Sequence, residues 1–281
     1  MEDLSVKTQA KSVAEPALEK KDDEMILYEK LLVAEKMAPD QEAIRMDGES
    51  FTFTDAVEEI DIIAAAFEEC NVTEKTVVVL CLPDNPQKLF CVYALNKIGA
   101  VSALVEPGVD PDDLRENMSR LGSECLVMMD TMIPSYQDML TESDPGMVVV
   151  CSRSDFFSMP KRRVTNFFSK TDTPECPKDA FYTTYRQMAR FGKDILDGKI
   201  NDTYDWPSAF EEVKPEPEKA PYVPKSKPED IAVYICPGEA EEKIREVKSS
   251  DLTSLPLFLK AWLPDAPGDE EDPEVTSKDD E

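Results

Sequence analysis

The chain is 281 residues long and 41% hydrophobic, and its 31 Lys and Arg stand against 59 Asp and Glu, a net charge of −28. That balance repels nucleic-acid backbones and anionic lipid surfaces, so neither is expected as a partner. There is no histidine, which excludes Ser-His-Asp and Cys-His nucleophilic centres and any His-ligated metal.

Residues 1–24 are polar and poor in aromatics, the composition of a flexible arm. They lack the apolar core of a signal peptide, and no apolar run in the chain approaches a membrane span. From 25 to 37, Ile26, Leu27, Leu31, Leu32 and Ala34 suit one side of a helix. Pro39-Asp40 and Asp47-Gly48 are turn signals, and the second lies between two short strand-like runs, the pattern of a hairpin. Thr54 is taken as the N-cap of a helix reaching Cys70, with Val57, Ile60, Ile63, Ala64 and Phe67 on its apolar face. Residues 76–82 form a continuous apolar run, as expected of a strand covered on both faces.

Asn85 followed by Pro86 reads as N-cap and first residue of a helix stopped by Gly99. A strand is expected over 100–105. Asp110 and Pro111 begin a helix closed by Gly122, a third strand spans 124–129, and helix 134–141 and strand 147–151 continue the alternation. Strand and helix at this rhythm predict βαβ units with a parallel sheet, an α/β fold. Met128, Met129, Met132 and Met139 are read as core filling.

Beyond 151 the pattern loosens. Lys161-Arg162-Arg163, with Phe167 and Phe168, is too short a basic patch to suggest nucleic acid in so acidic a chain. Helical pattern returns over 180–196, a short helix is expected near 206–213, and 214–227 is a Pro/Lys/Glu linker. A strand follows from Ile231, then an amphipathic stretch over 252–263. The last eighteen residues hold nine acids and one lysine and are expected to be disordered. The chain thus divides into an arm (1–24), an α/β core (25–151), a loop-rich segment with a Pro-rich linker (152–228), a strand, loop and helix (229–263) and an acidic tail (264–281). The seven cysteines (Cys70, Cys81, Cys91, Cys125, Cys151, Cys176 and Cys236) show no C-x-x-C spacing. They suggest a reducing, cytoplasmic setting with no disulfide frame and no zinc.

The order of motifs is specific. It runs Pro39-Asp40, Asp47-Gly48, Phe51-Thr52-Phe53, Leu82-Pro83-Asp84-Asn85-Pro86, Ala94-Leu95-Asn96-Lys97-Ile98-Gly99-Ala100-Val101, Glu106-Pro107 and Asp230-Ile231-Ala232. This resembles the N-terminal half of the AMP-forming acyl-adenylate family of acyl-CoA synthetases, luciferases and adenylation domains. The likeness covers 25–135 well and 229–251 moderately. The resemblance implies a parallel βαβ layer, incomplete here because such enzymes are about twice as long. Their chemistry joins a carboxylate to AMP from ATP and passes the acyl group to a thiol.

The family's phosphate loop, Tyr-Thr-Ser-Gly-Thr-Thr-Gly-x-Pro-Lys-Gly, falls without gaps on residues 236–246. Its Ser position is Gly238, its three Gly positions are Glu239, Glu242 and Glu246, its central Thr positions are Ala240 and Glu241, and its Lys is Arg245. A phosphate cradle needs glycines so that amides can approach at positive φ, and hydroxyls to donate hydrogen bonds; Glu supplies neither. Gly238, Lys243 and Arg245 are therefore the residues left to a degenerate site, with no catalytic residue and no metal ligand assigned. The acidic run 239–246 itself is read as a solvated helix start.

The expectation is a truncated, catalytically inactive acyl-CoA synthetase-like protein that acts as a binding or regulatory module. No cofactor is expected, and a sheet edge left bare would take a protein partner or a second copy. The alternative is one half of a split ligase completed in trans, in which case ATP and Mg²⁺ return. A decayed gene product is the third reading.

Overall fold

The computed structural model describes residues 20–46, 48–157, 182–199, 224–239 and 243–253. The expected arm through residue 19, the helix near 206–213, most of the linker, the stretch 254–263 and the acidic tail lie outside these residues.

Helix α1 (Leu27–Met37) is followed by the antiparallel pair β1 (Glu42–Met46) and β2 (Glu49–Thr52). Met46 faces Glu49, and Gly48 takes φ 80° in the two-residue turn, a value that glycine adopts without steric cost. Helix α2 (Phe53–Glu69) begins two residues earlier than the sequence suggested. Its cap is Thr52, not Thr54, because Thr52 and Asp55 form a reciprocal capping box. Asp55 N donates to Thr52 Oγ1 at 3.1 Å and Thr52 N donates to Asp55 Oδ2 at 2.9 Å. Thr54 has no acid three residues on; its hydroxyl donates to Pro39 O.

Next come β3 (Val77–Cys81), α3 (Pro86–Ile98), β4 (Val101–Val105), α4 (Pro111–Leu121), β5 (Cys125–Met129), α5 (Ile133–Ser143) and β6 (Met147–Cys151). The expected caps hold: Asn85 Oδ1 accepts from Lys88 N at 2.8 Å, Asp110 Oδ1 accepts from Asp112 N at 2.9 Å, and Gly99 and Gly122 end their helices left-handed. The predicted helix over 180–196 is a strand and a helix. Tyr182–Thr184 pairs with β6 as β7, and Thr184 with Gln187 caps α6 (Tyr185–Leu196). The aromatic and β-branched residues favour the strand, and the capping box fixes where it ends.

The last strands are β8 (Ile231–Ile235) and β9 (Arg245–Lys248). They join a seven-stranded sheet in the order β7-β6-β5-β3-β4-β8-β9, with all neighbours parallel except β8 and β9. The parallel α/β sheet expected from the alternation is therefore present. The helix start expected within 239–246 is corrected: Arg245 and Glu246 lie in β9, and the segment is the connection of an antiparallel hairpin. An edge strand needs only one residue on the core side, here Val247, so its sequence carries no strand-like apolar alternation.

Odd and even strand positions supply two cores. Val78, Leu80 and Val127 face α1, α2, α3 and α6, whereas Val79, Cys81, Leu126 and Met128 face α4 and α5. Met128 and Met139 are core residues as expected. Six cysteines are described, each buried and free. Among the described residues no helix is long and apolar enough to cross a membrane.

Candidate functional site

Strand β8 runs beside β4, and Cys236 N extends the pairing by donating to Leu104 O at 2.9 Å. Cys236 is buried in the α4 and α5 core, which fixes the root of the loop. Gly238 and Glu239 then leave the surface exposed, and the chain is described again from Lys243. Arg245 lies opposite Ile235. The structure thus places Gly238 on the outgoing arm of one hairpin, and Lys243 and Arg245, both exposed, on its return.

Gly238 does not take a left-handed φ, and a Cβ built on it would meet nothing within 4 Å. Gly238 stands at the family's Ser position, which needs no glycine backbone; the three positions that do need one carry Glu239, Glu242 and Glu246. The base of the hairpin is nevertheless firmly held. Ser249 Oγ, fully buried, accepts from Leu27 N at 3.1 Å and from Asn96 Nδ2 at 2.9 Å. Asn96 Oδ1 accepts from Tyr28 N at 3.0 Å, and Asn96 O accepts from Ser226 Oγ at 2.7 Å. One asparagine therefore ties α1, α3 and both approaches to the hairpin.

A second polar group, missed in the sequence, lies at the carboxyl ends of β3, β5 and β6. There the connection after β3 leaves toward one face and the connection after β5 toward the other, the switch point where open α/β sheets place ligands. Asp155 Oδ2 accepts from Ser152 N at 2.8 Å and from Gln87 Nε2 at 3.2 Å, and Arg186 stands 3.7 Å from its other oxygen. Arg186 also donates to the carbonyls of Ser154, Asp155 and Phe157, clamping that loop onto α6. Burial pushes the Asp155 carboxyl up to about 6, against the pull of Ser152 N, Gln87 and Arg186. Burial also raises Asp130 and the Glu59 carboxyl, which accepts from Tyr185 Oη. A cavity of about 300 Å³ opens beside them, lined by Glu59, Asp155, Phe156, Tyr185, Arg186 and Arg190. Asp155, Gln87 and Arg186 direct these bonds at the loop 152–157 and hold it against α3 and α6. Among the described residues, no group of three Cys, Asp or Glu is placed to hold a metal ion.

The raised Asp155 carboxyl makes the stability of the fold depend on pH. An unfolded Asp titrates near 3.8 and this one near 6, so the folded chain binds that proton more tightly. Its contribution is fully present below the unfolded value and is lost as pH rises to about 6, a swing of about 3 kcal/mol. Asp155→Asn keeps the shape without the charge. Relative to wild type, its urea midpoint is expected to gain steadily from acid pH to pH 7 and then level off; an offset independent of pH refutes the assignment.

The sequence matches the AMP-binding enzyme family over residues 33–235. The long-chain-fatty-acid–CoA ligase of Bacillus subtilis (strain 168) is 26% identical over 124 residues, which are 44% of this chain and 22% of that ligase. The anthranilate CoA ligase AuaEII, solved with anthranoyl-AMP, superimposes at TM-score 0.57 and 13% identity over 88% of this chain and 38% of its own. Mycobacterium smegmatis MbtA, solved without ligand, does so at TM-score 0.52 and 17% identity over 86% of this chain and 36% of its own. At these identities the superpositions speak for the fold, and the chain spans well under half the length of each relative.

Proposed function

The chain belongs to the AMP-binding enzyme family, and from that premise we propose that it is a non-catalytic, acyl-CoA synthetase-like module that binds partners and does not use ATP. The observation that carries this reading is the loop leaving β8. Gly238 stands at the family's Ser position without its hydroxyl, and glutamates stand at all three of the loop's Gly positions. The neighbouring Glu239 is exposed, and Glu241, Glu242 and Glu246 follow in sequence. Two like charges about 4 Å apart repel by roughly 4 kcal/mol at an intermediate effective dielectric. Several carboxylates beside a triphosphate outweigh what Lys243 and Arg245 recover, and a Mg²⁺ ion bridging acids to phosphates would not restore the missing amide cradle, so the residues present do not fit ATP. The buried, free thiols and the acidic surface support a reducing, cytoplasmic setting.

ATP–pyrophosphate exchange tests the chemistry. In the forward half-reaction a carboxylate oxygen attacks the α-phosphorus and pyrophosphate leaves; labelled pyrophosphate returns to ATP by the reverse. No exchange above blank is expected with fatty or aromatic acids, with or without CoA. Exchange by the isolated chain overturns the reading, and exchange that appears only with a second polypeptide favours a split ligase.

A further inference from the structure

β9 ends the seven-stranded sheet, and among the described residues its main chain pairs with β8 alone. Such an edge offers unpaired N–H and C=O groups to another strand. Arg245, Glu246 and Lys248 are exposed, and Val247 packs partly buried against the core. None of the three charged side chains is engaged in a hydrogen bond or ion pair among the described residues.

The order Arg-Glu-Val-Lys restricts what can add to this edge. Short charged edges repel most incoming strands. A second copy related by a two-fold axis must run antiparallel, and three central registers are open to it. An axis at Glu246 sets two glutamates face to face. An axis between Glu246 and Val247 sets Arg245 against Lys248. An axis at Val247 places Glu246 opposite Lys248 of the second copy, and Lys248 opposite its Glu246, so both pairs are complementary. Directly opposed opposite charges contribute roughly 0.2–1 kcal/mol each, and like charges cost as much.

We propose that two copies of this chain associate edge to edge through β9, antiparallel and in register on Val247, joining their sheets into one. The pairing names the partner that the non-catalytic reading calls for and rests on that reading only for its purpose. Because β9 is four residues long, the dimer is weak, dissociating in the micromolar to millimolar range.

Sedimentation equilibrium of the full chain, at about 0.15 M salt to screen the net charge, tests it from about 1 µM to about 1 mM. Wild type is expected to approach a dimer. Glu246→Lys alone and Lys248→Glu alone are each expected to weaken association at least about tenfold. The first variant makes the chain less negative, so its weakening cannot come from overall repulsion. The double variant Glu246→Lys/Lys248→Glu is expected to dimerise again. An equal mixture of the two single variants is expected to form heterodimers, because each then meets its complement. Circular dichroism verifies that the variants fold. A wild type monomeric throughout, or single variants that dimerise like wild type, overturns the proposal; either result leaves the exchange experiment unaffected.

Discussion

Replacing Gly192 with alanine is expected to destabilise the chain by about 3 kcal/mol or more. Gly192 is buried in α6 where that helix packs against α2. A Cβ built on it would lie 1.9 Å from Ile62 O and 2.8 Å from Ile62 C. Both atoms belong to the α2 backbone, so no rotamer change relieves the clash, and the two helices must move apart. Separation would loosen Phe191, Met188 and Tyr185 on one side and Ile63, Ala66 and Phe67 on the other, all in one core. A domain of this size responds to such a loss with a fall in Tm of roughly 6–12 °C. Gly146→Ala is the control, since its Cβ would come no closer than 3.5 Å to Glu124 O; a small change is expected. Equal effects from the two variants would mean that α2 and α6 do not approach as closely as described.

Asn96→Ala is expected to cost about 2–4 kcal/mol, because it leaves the buried Tyr28 amide without its acceptor and takes from the buried Ser249 hydroxyl one of its two donors, Leu27 N remaining. Tyr28 N loses Asn96 Oδ1, and Ser249 Oγ loses the Asn96 Nδ2 donor. The Asn96 carbonyl still accepts from Ser226, so that link survives. Nearby, Tyr28 Oη and Lys97 Nζ both reach Asp61 Oδ1, at 2.5 and 2.7 Å, and keep α1 on the body of the fold. The damage is therefore directed at the hairpin. Hydrogen exchange in β8 and β9 is expected to accelerate more than in β3 or β5. Uniform acceleration, or a loss under 1 kcal/mol, would show that Asn96 is not the tie between the core and the hairpin. Ser249→Ala keeps the Asn96 to Tyr28 bond but takes the acceptor from both Leu27 N and Asn96 Nδ2, so it is expected to cost a similar amount.

The parts of this fold that were legible in the sequence are those set by local signals. The runs in β3 to β6 alternate with Asn85-Pro86 and Asp110-Pro111, and each of those pairs begins a helix within its own few residues. What escaped depends on residues brought together by the sheet. Gln87 and Asp155 are 68 positions apart, and Asn96 and Ser249 are 153 apart, so neither pair has a spacing to read. β7 was hidden because three residues against the end of a helix look like its first turn. β9 was hidden because one valine among charges has no periodicity, and the surrounding glutamates suggested a helix start. Of the site, the sequence placed Gly238, Lys243 and Arg245 on one loop but gave no sign that the loop closes a hairpin.

The most direct test of the claim that this loop no longer takes nucleotide is titration calorimetry of the full chain with Mg-ATP, repeated with an acyl-sulfamoyl adenosine. The account predicts no saturable heat for either, which corresponds to dissociation constants above about 1 mM, or less than about 4 kcal/mol of binding. Saturable binding in the micromolar range, abolished by Arg245→Ala, would contradict it and make the hairpin a working nucleotide site.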